Sequence, residues 1–338
     1  MIEKWIRNEI SLKRWRRFKT QRRAVIATWT ILTLSFFSLT AEFWANSKPI
    51  VMKYRGEIYF PVAKRYHPSV FGVTGESITN YRALQLSEDD WVKWPLVHWD
   101  PFENNSKVDT FPSPPSTDNW FGTDDRGRDV LTRLLYGFRY SMGYAVLTWI
   151  SCSIVGMILG AFMGYAGGWP DLLGQRVIEI MESMPQLLLL ITIISIFQAS
   201  LWLLILFTTI FGWIGVSLYF RGEFLKLRKR EFIEAAHALG SSRAKVIFGH
   251  ILPNSLTPWI TMSPFMISGG ISGLAALDFL GFGLPAPTPS WGELLDQAYK
   301  NFTIAWWLAV FPSAALFVTL VMSNLIGEAI RDAMDPRK

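Results

Sequence analysis

Cysteine and histidine are scarce in this chain, and it contains no phosphate-binding loop. The 338 residues include one cysteine, Cys152, which excludes an intramolecular disulfide, and four histidines without metal-ligand spacing. The pattern Gly-x-x-x-x-Gly-Lys-Ser/Thr does not occur, so the chain is not expected to hydrolyse ATP by the usual route. Neither a nucleophile elbow nor a pair of catalytic acids is found. We therefore predict no catalytic, cofactor-binding or metal-binding residues.

Long apolar runs dominate the rest of the sequence. Hydrophobic residues make up 50% of the chain, and a helix needs about 20 apolar residues to cross a hydrocarbon core of about 30 Å. The runs lie at 24–45, 142–166, 187–220, 256–277 and 304–326. The run at 187–220 is long enough for two helices, with a polar break at Gln198, Ala199 and Ser200. These runs predict an all-α membrane protein with six transmembrane helices.

Basic residues predict the orientation of these helices. The formal net charge is +6, and clusters of lysine and arginine lie in residues 1–23 and 221–245. Positive charges beside a span mark its cytoplasmic side. Six crossings then put both ends of the chain, including a tail at 328–338, in the cytoplasm. The first apolar run exceeds the roughly 7–15 residues of a signal-peptide core, so it is predicted to remain as an anchor.

A polar insert at 46–134 separates the first two helices and faces the periplasm in this topology. Its segment 50–60 alternates between apolar and polar residues around Gly56, which predicts a β-hairpin with Gly56 in the turn. The insert is rich in aromatic residues, unlike most disordered segments. We predict a small, partly β periplasmic insert, followed by a five-helix core at 135–327.

The helix interiors contain regularly spaced small residues and lack charge pairs. Gly156, Gly160 and Gly164 recur every four residues in the second helix, which predicts close packing against another helix. No helix interior carries an acidic and a basic residue of the kind that ion-coupled carriers use. This weakens, but leaves open, the alternative of an ion-coupled secondary carrier.

The basic loop at about 221–254 has a distinctive residue order. It contains, in sequence, Glu234, Ala235, Ala236, Gly240, Leu252 and Pro253. The order predicts a helix stopped by Gly240, a second short helix, and a proline-bounded start of the next span. Ala235 and Ala236 would offer a small surface against which a groove on another protein can close. An ordinary amphipathic loop is the other interpretation.

This order resembles the cytoplasmic coupling loop of binding-protein-dependent ABC importers. The resemblance implies the type I importer permease fold and a docking role for Glu234, Ala235, Ala236 and Gly240 on a separate ATPase subunit. It also implies that Leu252 and Pro253 close the loop. His250 departs from the general pattern, which often has isoleucine there.

A segment before the second helix is similar to the periplasmic signature of the second permease of oligopeptide and dipeptide importers. Its residues are Gly122, Thr123, Asp124, Gly127, Arg128 and Asp129. The charged members are predicted either to fix the start of the helix or to meet an external partner.

The external loop before the sixth helix is similar to the same branch. Its matching residues are Pro287, Pro289, Ser290, Trp291 and Gly292. Each proline fixes its own φ near −65°. The loop is therefore predicted to hold Trp291 rigidly toward a binding protein.

The resemblance implies an alternating-access permease subunit of the bacterial inner membrane that imports peptides or peptide-like compounds. The implied partners are a second related permease, two ATPase domains or subunits, a periplasmic binding protein and the bilayer, without nucleic acid or cofactor. The stretch 41–49 and the long insert resemble permeases of microcin C type importers. An ABC permease for another small solute remains an alternative, and the cargo is left open.

Overall fold

The structure is a computed structural model of the chain, and it describes residues 9–73 and 78–334. The chain divides into two compact units. The helical unit consists of Ser141–Pro285 together with the chain ends, up to Ile31 and from Phe317; the insert unit consists of Leu32–Tyr140 and Ala286–Leu316. Part of the predicted cytoplasmic ends, at 1–8 and 335–338, lies outside the described residues.

Helices form most of the secondary structure in the described residues. They are α1 (Glu9–Thr20), α2 (Arg22–Leu39), α3 (Ala41–Trp44), α4 (Val130–Ala166), α5 (Gly168–Glu182), α6 (Gln186–Ile196), α7 (Leu201–Leu227), α8 (Glu231–Ala238), α9 (Arg243–Val246), α10 (Leu252–Phe279), α11 (Trp291–Lys300) and α12 (Trp306–Met334). A 3₁₀ turn occupies Pro68–Phe71, and a π-helical turn, Ile247–Ile251, joins α9 to α10.

Four helical stretches of the described chain are long and apolar enough to cross a membrane: α4, α7, the continuous Arg243–Phe279, and α12. The pair α5 and α6 makes a fifth candidate if it is counted as one bent span. Helix α2 lies at the first predicted span but is not among these candidates, so four, or at most five, of the six predicted transmembrane helices are long and apolar enough in the described chain. Only 17% of the apolar window of α12 is buried within the chain. Its apolar side chains therefore face outward, as lipid-facing side chains do.

The third predicted span is bent, which the apolar pattern did not indicate. Helices α5 and α6 meet at an angle of 71°. Pro185 precedes α6 in an extended conformation, and proline lacks the N–H that a continuing helix requires. The predicted break before α7 is confirmed, because the Ser200 hydroxyl caps that helix by accepting a bond from the Leu203 N–H at 3.2 Å.

The glycine stripe of α4 packs directly on α7, as predicted. A Cβ added at Gly156 would lie 2.4 Å from Cβ of Val216, and one added at Gly160 would lie 2.2 Å from the carbonyl oxygen of Ser217. Atoms this close leave no room for a side chain. Cys152, on the same helix, is 7% exposed and also faces α7 beside Gly212.

Replacing Gly160 with valine is expected to destabilise the helical unit by about 1–3 kcal/mol, because the added atoms overlap backbone that cannot move aside cheaply. The measurement is the thermal midpoint of the purified chain in detergent. Gly143→Val is the matched control, since a Cβ at Gly143 meets nothing within 4 Å on the same helix. Equal midpoints for both variants would contradict the close packing.

The insert contains the predicted hairpin and a third strand that was not predicted. Strands β1 (Val51–Tyr54) and β2 (Glu57–Tyr59) pair antiparallel, and Gly56 has φ +86° in the turn between them. Strand β3 (Trp91–Lys93) pairs with the other side of β1, giving the order β2-β1-β3. Helix α4 begins at Val130, inside the range predicted for the insert.

Candidate functional site

The loop after α7 folds as helix, glycine, helix. Gly240 follows α8 with φ +79°, its N–H donates to the carbonyl of His237 at 2.9 Å, and the Ser241 N–H donates to the carbonyl of Ala236 at 3.0 Å. These two bonds form a Schellman motif, which needs a left-handed residue. The predicted glycine stop is thereby confirmed, and the Ser242 hydroxyl then caps α9.

One face of α8 is anchored and the other is exposed. Ile233 and Ala236 are buried in a cluster with Phe224 of α7 and with Val246 and Ile251 after Gly240. The exposed residues of the segment are Glu231, Phe232, Glu234, Ala235, His237, Ala238, Leu239 and Gly240. The expectation that Ala235 and Ala236 together form an outward surface is wrong for Ala236, whose methyl group packs inward.

The end of the loop is continuous with the next span. The π turn carries the chain from α9 into α10, where Pro253 is the second residue. Proline lacks an N–H that could donate to the preceding turn, and the turn directly before it is the π-helical one. Leu252 packs on the Phe224 cluster, so α8 is linked by side-chain contacts to the ends of both α7 and α10.

The signature segment before α4 forms a buried cluster of charges in the insert unit. Arg128 donates from Nε to Oδ2 of Asp124 at 2.7 Å and from Nη2 to Oε1 of Glu293 at 3.0 Å. Arg133 donates to the other oxygen of Glu293, and its Nε lies 3.4 Å from Oδ2 of Asp124. Asp124, Arg128 and Arg133 are at most 2% exposed. Two cations and two anions balance in this cluster.

The surroundings keep the Arg128 guanidinium charged. Burial alone would lower its pKa, but the carboxylates of Asp124 and Glu293 outweigh burial and raise the pKa above its ordinary value. Asp124 also accepts bonds from the backbone N–H groups of Arg126 and Arg128, both at 2.9 Å. The carboxylate thus holds the turn and the cation together.

Asp129 fixes the start of α4. Its Oδ1 accepts a bond from the Thr132 N–H at 2.7 Å, and its Oδ2 accepts one from Asn119 Nδ2 at 2.9 Å. Burial raises the pKa of this carboxyl, which these bonds oppose. Of the two interpretations of the segment, the contacts favour the helix start, since Arg128 and Asp129 are too buried to meet an external partner.

Glycines shape the same segment. Gly122 and Gly127 have φ +75° and +79°. A Cβ at Gly122 would lie 2.7 Å from Nε1 of Trp307, and one at Gly127 would lie 2.4 Å from the Phe111 ring. Thr123 is buried, and its carbonyl accepts the Trp307 indole N–H at 3.0 Å.

The external loop does not present Trp291. This side chain is 3% exposed, packs against Gly137 and donates from Nε1 to the Leu134 carbonyl at 2.9 Å. Pro289, Ser290 and Gly292 are buried with it, and Pro287 alone of the five predicted contact residues is exposed. The expectation is corrected because Trp291 completes the packing of the insert unit.

Arg133 and Glu293 were missed by sequence reasoning. They are 160 residues apart, and Arg133 lies in an apolar helix without a local pattern that would pair it with α11. Within 9–73 and 78–334, no three His, Cys, Asp or Glu side chains lie together so that they could hold a metal ion.

Apolar helices that pack through glycines, together with a basic loop that exposes a glycine-terminated helix, are typical of a membrane transport permease. The chain belongs to the family of binding-protein-dependent transport system inner membrane components, whose sequence pattern matches residues 156–338.

Proteins similar to this chain are named as transport permeases as well. The inner membrane ABC transporter permease protein YejE of Escherichia coli K12 is 41% identical over 97% of this chain and 98% of its own length. The peptidoglycan transport system permease protein YejE of Agrobacterium fabrum is 38% identical over 96% and 93%. The dipeptide transport system permease protein DppC of Alkalihalophilus pseudofirmus is 39% identical over 66% of this chain and 73% of its own.

Proposed function

We propose that this chain is one of two permease subunits of an ATP-driven importer for peptides or peptide-like compounds. The observation that carries the proposal is the exposed face of α8, held between the Phe224 cluster and the glycine stop. A rigid helix presented in this way suits docking into a groove of another protein. Family membership and the peptide-permease relatives support the same function.

The proposed mechanism is alternating access driven by ATPase subunits that lie outside the bilayer. A binding protein delivers the cargo, ATP closes the paired ATPase subunits, and their movement displaces α8. Because Ile233 lies in one buried cluster with Phe224 of α7 and with Ile251 just before α10, displacement of α8 moves the ends of two spanning helices together. Glu234, Ala235 and Gly240 lie on the docking segment in this proposal, while Ala236, Leu252 and Pro253 transmit its movement.

The proposed orientation follows the charges. The basic stretch 221–245 lies in the cytoplasm with both chain ends, and the insert lies in the periplasm. The proposed assembly contains a second related permease, two ATPase domains or subunits and a periplasmic binding protein. Of the five predicted contact residues, the exposed Pro287 is the one that remains available to that protein.

The proposed cargo is a short peptide or a peptide-like compound, which includes muropeptides and microcin C type antibiotics. The two YejE proteins match nearly the whole chain, including the insert, and one of them is named for peptidoglycan transport. That coverage favours the branch with a long insert over the shorter dipeptide permeases.

The test is purification of the complex through a tag on this chain from mildly solubilised membranes. We expect a second permease and an ATPase to copurify, with ATP turnover stimulated by a peptide-loaded binding protein. Recovery of this chain alone, with uptake into vesicles driven by an ion gradient and indifferent to ATP, would assign it to the secondary carriers instead.

A further inference from the structure

A cavity of about 1180 Å³ lies between the end of α4, the start of α10 and helix α8. Both α4 and the stretch leading into α10 are candidate membrane spans, so the cavity lies where two spans leave the hydrocarbon. The proposed docking of α8 on an ATPase subunit does not involve this cavity. Its lining divides into an apolar wall and a basic rim.

The apolar wall is open to the outside of the chain. Ile158 and Phe162 of α4 are 60% and 61% exposed, and Phe248 of the π turn is 69% exposed. Exposed side chains of this size on a membrane span are covered by lipid or by another protein. An occupant of the cavity therefore has an apolar part that lies against this wall.

The rim carries an excess of positive charge. Arg228, Lys229 and Arg243 line it, with Glu234 as the acidic member among the described lining residues. Arg228 Nη1 donates to the Tyr165 carbonyl at 3.0 Å. Its guanidinium is packed on Gly167, where an added Cβ would lie 2.8 Å from Nη1.

This packing fixes the Arg228 cation in place, and the Asp171 carboxylate acts on it only at longer range. None of the three cations forms an ion pair with a carboxylate of the described chain. An anion is therefore the complementary ligand at the rim, and it has to be one whose remaining part is apolar.

We propose that this cavity binds an anionic phospholipid, with the phosphate at Arg228, Lys229 and Arg243 and the acyl chains along α4 and Phe248. Basic pockets beside the ends of spanning helices recognise such headgroups, and each cation near the surface strengthens the attraction. Glu234 and His237 of α8 also line the cavity. The bound lipid thus contacts both a span and the helix proposed to couple to the ATPase.

The test is native mass spectrometry of the complex purified through this chain, after equilibration with equal amounts of phosphatidylglycerol and phosphatidylcholine of the same acyl chains. We expect phosphatidylglycerol to be retained about tenfold more. The triple variant Arg228→Gln, Lys229→Gln, Arg243→Gln should lose this preference. The matched control Lys226→Gln, Arg230→Gln, Lys245→Gln removes the same charge outside the lining and should keep it.

Further measurements distinguish the possible occupants of the cavity. Phe248→Ser should lower lipid retention severalfold, and inorganic phosphate at millimolar concentration should not displace the lipid. No preference in the wild type, equal loss in both triple variants, or displacement by phosphate would overturn the proposal. Loss of the lipid on assembly with an ATPase subunit would assign the cavity to that protein and would also overturn it. Lipid retention is read without transport, so failure of peptide uptake alone would count only against the proposed function.

Discussion

Replacing Gly240 with proline is expected to abolish peptide uptake while the protein remains in the membrane. Proline fixes φ near −65°, whereas Gly240 has φ +79°. It also lacks the N–H that donates to His237 in the Schellman motif. The chain could not turn from α8 into α9, so α8 would lose its fixed position above the Phe224 cluster.

Gly240→Asn is the matched control for this prediction. Asparagine tolerates the left-handed conformation, and a Cβ at this position meets nothing within 4 Å. Uptake should therefore persist in the asparagine variant. The measurements are uptake of a labelled peptide, the amount of each variant in the membrane, and copurification of the ATPase. Normal uptake by the proline variant would refute the role proposed for this loop.

Replacing Asp124 with asparagine is expected to destabilise the insert unit by about 3–5 kcal/mol, the cost of leaving a buried charge without its partner. Asparagine keeps the shape and an oxygen that can accept the two backbone bonds. The variant removes the charge and replaces Oδ2, the acceptor of the Arg128 Nε–H, with an amide NH2 that cannot accept a hydrogen bond. Arg128 and Arg133, both nearly fully buried, would then share the single carboxylate of Glu293.

Asp125→Asn removes the same charge one residue away. Asp125 is exposed and forms no ion pair with a described residue, so its loss should change the thermal midpoint little. The comparison is made on the purified chain in detergent and on the amount of each variant in the membrane. Similar thermal midpoints for the two variants would contradict a stabilising role of the buried charges in the segment before α4.

Short-range patterns in the sequence predicted the local structure well. The apolar runs located the helices, Ser200 located the break before α7, Gly56 located the hairpin turn, and Gly240 located the end of α8. Each of these features depends on residues within about one helical turn of each other, where periodicity and backbone preference act directly. The glycine stripe of α4 belongs to the same group, since its spacing alone indicates a packing face.

Features that depend on distant partners were not predictable in this way. The burial of Trp291 depends on Gly137 and on the Leu134 carbonyl, which lies 157 residues away. The ion pair of Arg133 and Glu293 and the pairing of β3 with β1 likewise join separated segments. In each case the local sequence does not show whether a residue is buried or exposed, or whether a segment is paired. The tertiary contacts determine this.

The burial of Cys152 has a practical consequence for following the movement of α8. The chain has one thiol, and it is enclosed between α4 and α7 with 7% of its surface exposed. Reactivity of a thiol depends on access as well as on ionisation. A spin label or a fluorophore could therefore be attached to a cysteine introduced on the exposed face of α8, with the native residue left in place.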